Sequence, residues 1–491
     1  MGRTFLAPGV AVSSLVLGIG ACSLGCSRSG GSSTASSPSV VLVTLDTLRA
    51  DHVGAYGYPR STTPTLDALA DEALLFEHCL APVAHTAPSH LSLLTGVYPY
   101  EHGMLSNAHT AKDDARAGAS AGTPGQVFRS TAELRSFAEL AATSGYATAA
   151  FVSAAPLKRV TGLDAGFGTW SEPDGARRLG VETTRAALAW LGAHPEGDPY
   201  CLWAHYFDAH GPYAAGNQPP EPYDTMFEGD DAIAGYLEER AFSPTVEGPN
   251  TPVTRTRRIV DLYDGSVRWL DDGVAPLFEG LAERADWSTT LLVVVGDHGQ
   301  GLGQHDYLAH GSVWREQLHV PLWIRAPGVA ARRVATPLSV IDVLPTALGL
   351  AAPSALVEAF STQSRGVDVL AASSDERAVF AMSPPRRGLE ALSLGEWKYV
   401  RRVDGAEELY DLAADPHELR NVADEEPERR RDLERRLTAL TQEMRARGAR
   451  ILADRAATAV ASESEDGAGE TGIDDALLRE LEALGYGGGD E

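Results

Sequence analysis

Three aspartates each follow directly on a short apolar run of the kind that forms a buried strand. They are Asp46, Asp208 and Asp297, and His298 comes next after the last of them. Because the carboxyl ends of parallel strands meet at one edge of a sheet, we expect these side chains to lie close together. One aspartate in such a position is common in turns. Three of them, with a histidine, predict a site for a divalent cation.

A second candidate for chemistry is Thr86, which precedes Pro88 and the apolar run 91–94. Proline suits the first turn of a helix, so Thr86 is predicted at or beside the N-cap, facing the positive end of the helix dipole. If a divalent cation also contacts the hydroxyl, its alkoxide becomes accessible near neutral pH and can act as a nucleophile. Without that cation, the local sequence favours a simple capping residue.

The elements that must position these residues alternate between apolar runs and helical segments. The predicted strands are 40–45, 148–152, 200–205, 290–295 and 320–324. The predicted helices include 65–76, 132–144 and 266–281. This alternation is typical of an α/β domain with a mostly parallel sheet.

Motifs in the same order along the chain resemble those of the sulfatase family, part of the alkaline phosphatase superfamily. The stretch 86–96 is similar to the family signature, and the resemblance extends from about residue 40 to about residue 425. The other motifs are 41–52, 54–57, 62–67, 205–213, 263–271, 296–299, 310–311, 315–321, 397–399, 408–412, 415–416 and Asn421.

The resemblance implies an α/β/α sandwich with a large, mostly parallel central sheet and a smaller C-terminal α+β subdomain. It also implies a divalent metal ion, which could be zinc, manganese, calcium or magnesium. One ion is favoured, and a two-metal site of the kind that nucleotide phosphodiesterases hold is the alternative. The implied metal ligands are Asp46, Thr86, Asp297 and His298. The implied catalytic residues are Thr86 as nucleophile, His210 and His310 at the anionic group or leaving oxygen, and His90 in place of the signature arginine. His102 and Asp208 lie in or near the motifs without an assigned role.

The chain departs from the family pattern at the nucleophile. The family converts a Cys or Ser at this position into formylglycine, an aldehyde that Thr86 cannot form. Threonine at this place is shared with relatives that act on phosphoesters, such as lipoteichoic-acid synthases and nucleotide phosphodiesterases. Thr47 also stands where arylsulfatases have a further metal-binding aspartate, which favours zinc or manganese. The sequence therefore favours a phosphoric ester over a sulfuric ester as the substrate.

The resulting interpretation is a metal-dependent hydrolase of a small, glycan-linked or lipid-linked anionic ester. One alternative is a phosphoglycerol or phosphoethanolamine transferase of the cell envelope, although such enzymes usually carry several membrane helices. The other is a non-catalytic binding protein derived from a sulfatase. The retained Asp46, Asp297, His298 and His210 argue against that loss of function.

The overall charge restricts the possible partners. The 41 basic and 67 acidic residues give a net charge of −26, so the chain repels phosphate backbones and nucleic acid is not an expected partner. Four cysteines are too few and too scattered for a disulfide framework. The oligomeric state is left open by the sequence.

The N-terminal residues predict export. Arg3, the apolar stretch 5–21 and Cys22 after small residues are typical of a signal peptide that ends at a lipidated cysteine. A plain cleaved signal and an uncleaved anchor are the alternatives. We expect a membrane-anchored lipoprotein of the bacterial envelope, periplasmic or surface-facing. The predicted division is a signal peptide (1–21), a lipidated Cys and Ser/Gly tether (22–39), a sulfatase-like catalytic domain (40–355), a C-terminal subdomain with an amphipathic helix (356–456) and an acidic tail (457–491).

Overall fold

The structure is a computed structural model that describes residues 37–107, 127–211, 213, 218–239, 256–372 and 377–462. The predicted signal peptide, most of the tether and the acidic tail beyond residue 462 lie outside these residues. Within the described ranges, no helix has both the length and the apolar character needed to cross a bilayer. The predicted domain boundaries stay predictions.

The described elements are numbered here in chain order. The strands are β1 (Val40–Leu45), β2 (Leu74–Phe76), β3 (Cys79–Leu80), β4 (Ala147–Phe151), β5 (Thr169–Ser171), β6 (Tyr200–Tyr206), β7 (Leu291–Gly296), β8 (Gly301–Leu302), β9 (Leu308–Ala309), β10 (His319–Val320), β11 (Leu322–Arg325), β12 (Arg332–Val334), β13 (Leu338–Ser339), β14 (Val379–Met382), β15 (Leu389–Leu394), β16 (Trp397–Arg402) and β17 (Glu407–Asp411). The helices are α1 (Pro64–Leu69), α2 (Thr86–Thr95), α3 (Pro99–His102), α4 (Phe137–Thr143), α5 (Gly180–Ala193), α6 (Ala234–Glu239), α7 (Thr256–Ala282), α8 (Arg315–Leu318), α9 (Val343–Ala351), α10 (Ser354–Gln363) and α11 (Pro427–Ser462).

A large sheet forms the centre of the fold. In the described part of the chain it has eight strands in the order β12-β2-β11-β7-β1-β6-β4-β5. The five strands from β7 to β5 run parallel to one another. β11 is antiparallel to both β7 and β2, and the edge strand β12 is parallel to β2. This mostly parallel sheet confirms the predicted fold class.

Both faces of the central sheet are covered. Successive residues of β1 belong to different apolar clusters, with Val40 and Leu42 in one and Val41 and Val43 in the other. The first cluster includes residues of α2, α4 and α9, and the second includes residues of α1, α5 and α7. A strand that is buried on both faces reads as a continuous apolar run, which is why β1 was predictable. The result is an α/β/α sandwich.

The C-terminal part contains a small antiparallel sheet in the order β14-β15-β16-β17, against which α11 packs. The predicted amphipathic helix is confirmed, and its residues Leu433, Leu437 and Met444 are buried. It extends to Ser462, beyond the predicted boundary at 456. Its basic side is not simply solvated, because three arginines contact other elements. These contacts are Arg445 with Glu390, Arg447 with Glu101 and Arg455 with the His102 carbonyl.

The predicted helices 132–144 and 266–281 are present with other bounds, as α4 and α7, and two further predicted elements differ in kind or continuity. The segment 65–76 was predicted as one helix, but α1 ends at Leu69 and the last three residues form β2. The apolar β2 pairs with β11 and β12, so sheet pairing outweighs local helix propensity. The segment 320–324 is divided at Pro321 between β10 and β11, since proline lacks the N–H that a continuous ladder requires.

Candidate active site

Asp46 and Asp297 are brought together by the register of two neighbouring strands. Each follows the last residue of its strand, and those last residues, Leu45 of β1 and Gly296 of β7, are paired in parallel register. His298 follows Asp297 on the same loop. One potential ligand atom from each of the three side chains lies within 4.8 Å of the others, and all three are buried. We call Asp46, Asp297 and His298 the carboxylate edge.

The two carboxylates are short of partners. Asp46 Oδ1 and Asp297 Oδ2 are buried, and neither has a hydrogen-bond partner among the described residues. Burial raises the pKa of Asp46 well above its usual range, and burial together with the Asp46 charge does the same to the pKa of Asp297. Two adjacent buried carboxylates are costly without a cation, and a divalent ion would remove that cost. The residues present therefore fit a divalent metal ion.

His298 has the orientation of a metal ligand. Its Nδ1 lies 2.9 Å from the carbonyl oxygen of Gly299, so Nδ1 carries the hydrogen and Nε2 keeps its lone pair. Nε2 is 3.4 Å from the Thr86 hydroxyl. Burial, with a smaller effect of His310, lowers the pKa of His298 well below its usual range. The imidazole is thus neutral, as metal ligation requires.

Thr86 is the first residue of α2, and His85 occupies the N-cap position. Its hydroxyl faces His298 instead of capping the helix. The nearby Ala87 N–H donates to Asn107 Oδ1 at 2.8 Å. Ser89 fastens the same helix to the metal loop through its hydroxyl, which donates to the Asp297 carbonyl at 2.7 Å. The structure therefore places Thr86 beside the cap, with its hydroxyl turned to the carboxylate edge.

His90 lies one helical turn beyond Thr86, on the inner side of α2. Its Nδ1 is 2.7 Å from the Thr86 carbonyl and its Nε2 is 2.9 Å from the Thr44 hydroxyl. Trp203 donates its indole N–H to the same hydroxyl, which leaves the hydroxyl hydrogen for His90 Nε2. Both ring nitrogens are used within the protein, an arrangement that suits positioning of Thr86 better than contact with a substrate.

His210 and His310 form a pair, which we call the histidine pair, with 3.1 Å between their Nε2 atoms. Each Nδ1 faces a backbone carbonyl, that of Gly211 for His210 and that of Ala84 for His310. Both Nε2 atoms therefore keep their lone pairs or share one proton. The His310 ring centroid is 4.6 Å from that of His298, so the histidine pair lies next to the carboxylate edge.

Asp208 and His102, which lie in or near the sequence motifs, are not part of the carboxylate edge. Asp208, predicted on the same rim, accepts a hydrogen bond from the Gly180 N–H at the start of α5 at 3.0 Å. Burial raises its pKa to about 6. His102 contacts the Ser92 hydroxyl at 3.0 Å behind α2. Neither belongs to the cluster of potential ligands formed by the described residues.

His205 is a site residue whose role the sequence analysis missed. Its Nδ1 accepts from the Ser153 N–H, so its Nε2–H donates to Asp46 Oδ2 at 3.2 Å. This bond orients Asp46 and leaves Oδ1 for a cation. The available signal was a histidine inside an otherwise apolar strand, paired in register with Thr44.

Thr47 and Tyr263 fix the loop that follows β1. Thr47 has a φ of 56°, in the left-handed region that a β-branched residue rarely adopts. Its N–H donates to Asp297 Oδ1 and its hydroxyl donates to the Asp46 carbonyl, whereas its own carbonyl accepts from the Tyr263 hydroxyl. The Thr47 hydroxyl is thus directed at the backbone and not at the cation site.

The comparisons with known proteins agree with this geometry. The Sulfatase family profile matches residues 38–353. A choline-sulfatase of Rhizobium meliloti (strain 1021) is 30% identical over 247 residues, which are 46% of this chain and 46% of that protein. The chain therefore spans about half the length of that relative. The multifunctional alkaline phosphatase superfamily protein PehA of Trinickia caryophylli is 25% identical over 481 residues, 78% of this chain and 91% of that protein.

A solved structure has the same fold. The phosphonate monoester hydrolase of Agrobacterium radiobacter superposes with a TM-score of 0.62 and 21% sequence identity. The superposition covers 83% of this chain and 96% of that chain. At this identity the likeness concerns the fold.

Proposed function

Because the chain belongs to the sulfatase family, we propose that it is a metal-dependent ester hydrolase with Thr86 as its nucleophile. The observation that carries the proposal is the position of the Thr86 hydroxyl, 3.4 Å from His298 Nε2 at the carboxylate edge. Two buried carboxylate oxygens without partners lie in the same cluster. Such a set of atoms has little structural use unless a cation joins them to the hydroxyl.

The residues that would hold the metal are Asp46, Asp297 and His298, with Thr86 completing the ligand set. A divalent ion bound there supplies Lewis-acid stabilisation of the Thr86 alkoxide and of the non-bridging oxygens of the ester. The chain itself aligns the nucleophile: His90 holds the Thr86 carbonyl, and Ser89 connects α2 to the Asp297 loop. This pre-organisation lowers the entropic part of the barrier.

The proposed reaction has two displacements. In the first, Thr86 Oγ1 reacts as the alkoxide, its proton having passed to solvent. It bonds to the phosphorus of the ester, the bond to the leaving oxygen breaks, and that oxygen takes the proton shared by the histidine pair. In the second, water attacks phosphothreonine and returns a proton to the histidine pair, and the bond from phosphorus to Oγ1 breaks. The 3.1 Å separation of the two Nε2 atoms is suited to holding one proton between them.

We propose a phosphoric or phosphonic ester as the preferred substrate over a sulfuric ester. Thr86 offers no aldehyde hydrate that could expel sulfate, whereas a phosphothreonine can be hydrolysed by in-line attack of water. The similarity to a choline-sulfatase favours the competing sulfate ester, so both classes belong in the test.

The test is a kinetic comparison of wild type, Thr86→Ala, Thr86→Ser and Thr95→Ala. Thr95 is the matched control, since it is buried in the same helix and its hydroxyl donates to the Leu91 carbonyl at 2.6 Å. The substrates are an aryl phosphate, an aryl phosphonate ester, a phosphodiester and an aryl sulfate, each assayed with zinc, manganese, calcium and magnesium. We expect Thr86→Ala to lose turnover, Thr86→Ser to keep part of it, and Thr95→Ala to resemble wild type.

Different outcomes test the assignment of the nucleophile, the substrate preference and the folding of the variants. Full activity of Thr86→Ala would overturn the nucleophile, and faster turnover of the aryl sulfate would overturn the phosphoester preference. Because Thr86 is not the N-cap residue, Thr86→Ala should lose less than the usual ~1 kcal/mol of a capping substitution. Thermal unfolding of each variant checks that a loss of activity is not a loss of fold.

We also propose that the protein acts outside the cytoplasm, anchored by a lipid on Cys22. The support is the sequence pattern of the first residues, which lie outside the described part of the structure. Cys22→Ala should release the protein from the membrane fraction or leave its signal uncleaved. A soluble mature chain that begins at another residue, identified by mass spectrometry, would contradict the proposal.

A further inference from the structure

Two arginines of the C-terminal part lie in a turn next to the loop that carries His310. Arg386 and Arg387 occupy the turn between β14 and β15. The Arg387 guanidinium lies 4.3 Å from the centroid of the Tyr307 ring, and the Tyr307 hydroxyl donates to the His310 carbonyl at 2.9 Å. A Cβ on Gly311 would lie 3.8 Å from Pro384 Cδ of the same turn. The turn therefore packs against the loop that carries His310.

Arg177 approaches the other member of the pair. Its backbone forms an antiparallel bridge with Ala154, just beyond β4. Burial lowers the pKa of His210 most, but the positive charge of Arg177 contributes as well. In the same way burial, with help from Arg386 and Arg387, lowers the pKa of His310 to about 4. Each of the three guanidinium groups is thus close enough to act electrostatically on one histidine.

In the described part of the chain these three arginines form no close ion pair with a carboxylate, although the charge of the more distant Asp208 acts on Arg177. Within the described ranges, no ion pair joins Arg177, Arg386 or Arg387 to an acidic side chain, although the chain has 67 acidic and 41 basic residues. The neighbouring Arg178, by contrast, donates to Ser171 and Thr183. Arg177 is also half-buried, and this burial lowers the pKa of its guanidinium even though the Asp208 charge acts in the opposite direction. Three guanidinium groups without a close carboxylate, next to the histidine pair, constitute a place for an anion.

We propose that Arg177, Arg386 and Arg387 bind a second anionic group of the substrate, so that the substrate is a polyanion whose reacting ester lies at Thr86. The inference rests on the proposed function, which supplies the reacting ester. The second group is a carboxylate, a sulfate or a phosphate, each of which matches the planar fork of arginine. In a chain of net charge −26, these arginines also offset the repulsion that an approaching polyanion meets.

The first test measures discrimination in turnover. The substrates are 4-nitrophenyl phosphate and three analogues that carry an added carboxylate, sulfate or phosphate on the ring, and these three arms identify the second group. We expect wild type to prefer at least one analogue in kcat/KM, and Arg386→Ala/Arg387→Ala to reduce that preference about tenfold or more. Arg177→Gln should reduce it as well. Arg332→Ala, an exposed arginine of the edge strand β12, is the charge-matched control and should keep the preference.

The second test measures binding without turnover. Calorimetric titration with 1,3-propanebisphosphonate and with propylphosphonate compares a two-anion probe with a one-anion probe, neither of which is an ester. Wild type should bind the two-anion probe more tightly, and Arg386→Ala/Arg387→Ala should lose about tenfold of that difference.

The two tests can fail independently. Turnover without any preference for a second anion, in kinetics and in calorimetry, would overturn this inference and leave the proposed function standing. A preference in calorimetry without turnover of any ester would support the arginine site and overturn the proposed function. An equal effect of Arg332→Ala would show that only the overall charge matters, and it would contradict the inference.

Discussion

The carboxylate edge and the histidine pair lie side by side but are held in place by different parts of the molecule. The carboxylate edge follows two strands at the centre of the main sheet, and its geometry is set by the register of β1 with β7. His310 lies on a loop that continues into α8, and this loop is held by side chains of the C-terminal sheet.

The contacts of the loop that carries His310 show that its position depends on the C-terminal part. Lys398 of β16 donates to the Val313 carbonyl and forms a buried ion pair with Glu418 at 2.7 Å. Glu418 in turn accepts from the Arg315 N–H at 3.3 Å. The carboxylate edge is therefore positioned by the main sheet and the helices packed on it, whereas the position of His310 also depends on the C-terminal part. We therefore expect that mutations can separate the loss of metal binding from the loss of catalysis.

The largest effect is expected at the carboxylate edge. Asp297→Asn removes one of two charges that hold the cation, so we expect loss of bound metal and a fall in kcat/KM of about 10³-fold or more. Elemental analysis and kinetics measure the two effects. Asp271→Asn is the matched control, because Asp271 is a buried carboxylate that accepts from the Thr65 and Leu66 N–H groups at the start of α1. It should retain the metal, and unchanged metal in Asp297→Asn would contradict the assignment.

The next largest effect is expected at Lys398, which holds the loop that carries His310. Lys398→Met leaves the Glu418 carboxylate buried without its partner, which should cost about 3–5 kcal/mol of unfolding free energy. It also frees the Val313 carbonyl, so kcat should fall while the metal content stays that of wild type. Denaturant titration, kinetics and elemental analysis test this separation. The exposed pair of Arg402 with Asp404 provides the control, and Arg402→Ala should change none of these quantities. Loss of metal in Lys398→Met would mean that the two halves are coupled.

A pH-dependent effect is expected at Glu316, in the helix that follows the His310 loop. Burial, with a contribution from Glu418, raises the pKa of Glu316 from 4.5 to about 7. Between these values the unfolded chain loses the proton while the folded chain keeps it, so this group's contribution to stability is lost as the pH rises. The free energy of unfolding of Glu316→Gln, relative to that of wild type, should therefore rise by up to about 3 kcal/mol between pH ~4.5 and pH ~7.

Urea titrations across that pH range measure the difference between the two proteins. The exposed Glu358→Gln serves as the control and should show no change with pH relative to wild type. A constant difference between Glu316→Gln and wild type would contradict the raised pKa of Glu316.

The smallest effect concerns the residue behind Asp46. His205→Gln removes the ring N–H that orients the carboxylate at 3.2 Å, so we expect metal affinity to fall about 10- to 100-fold without loss of the site. Competition with a chelator measures the affinity. His194→Gln, which lies where α5 ends, is the control. An unchanged affinity in His205→Gln would show that the strand register alone positions Asp46.

The two halves of the site also differ in how far the sequence could predict them. Asp46 and Asp297 were predictable because each follows a strand that is buried on both faces, and adjacent parallel strands present their ends together. His310 was found only through the resemblance, since nothing in its local sequence relates it to His210, one hundred residues earlier. The contacts of Arg387 and Lys398 depend on how two sheets pack, which local pattern does not encode.

The secondary structure elements also differ in how well the sequence predicts them. The central strands and the C-terminal amphipathic helix were predictable from continuous or periodic apolar residues. The short strand β2 was not, because the residues Leu74–Phe76 are equally compatible with the end of a helix until β11 and β12 provide partners.

Attack of Thr86 on the substrate at the metal site is tested by trapping the covalent intermediate. Wild type and Thr95→Ala are mixed with an aryl phosphate and the cognate metal, quenched in acid within the first turnover, and analysed by intact-mass measurement and peptide mapping. We expect the mass of one phosphoryl group on the peptide that contains Thr86 in both proteins, and none in Thr86→Ala. Turnover without any adduct on Thr86, or turnover that persists in Thr86→Ala, would contradict it.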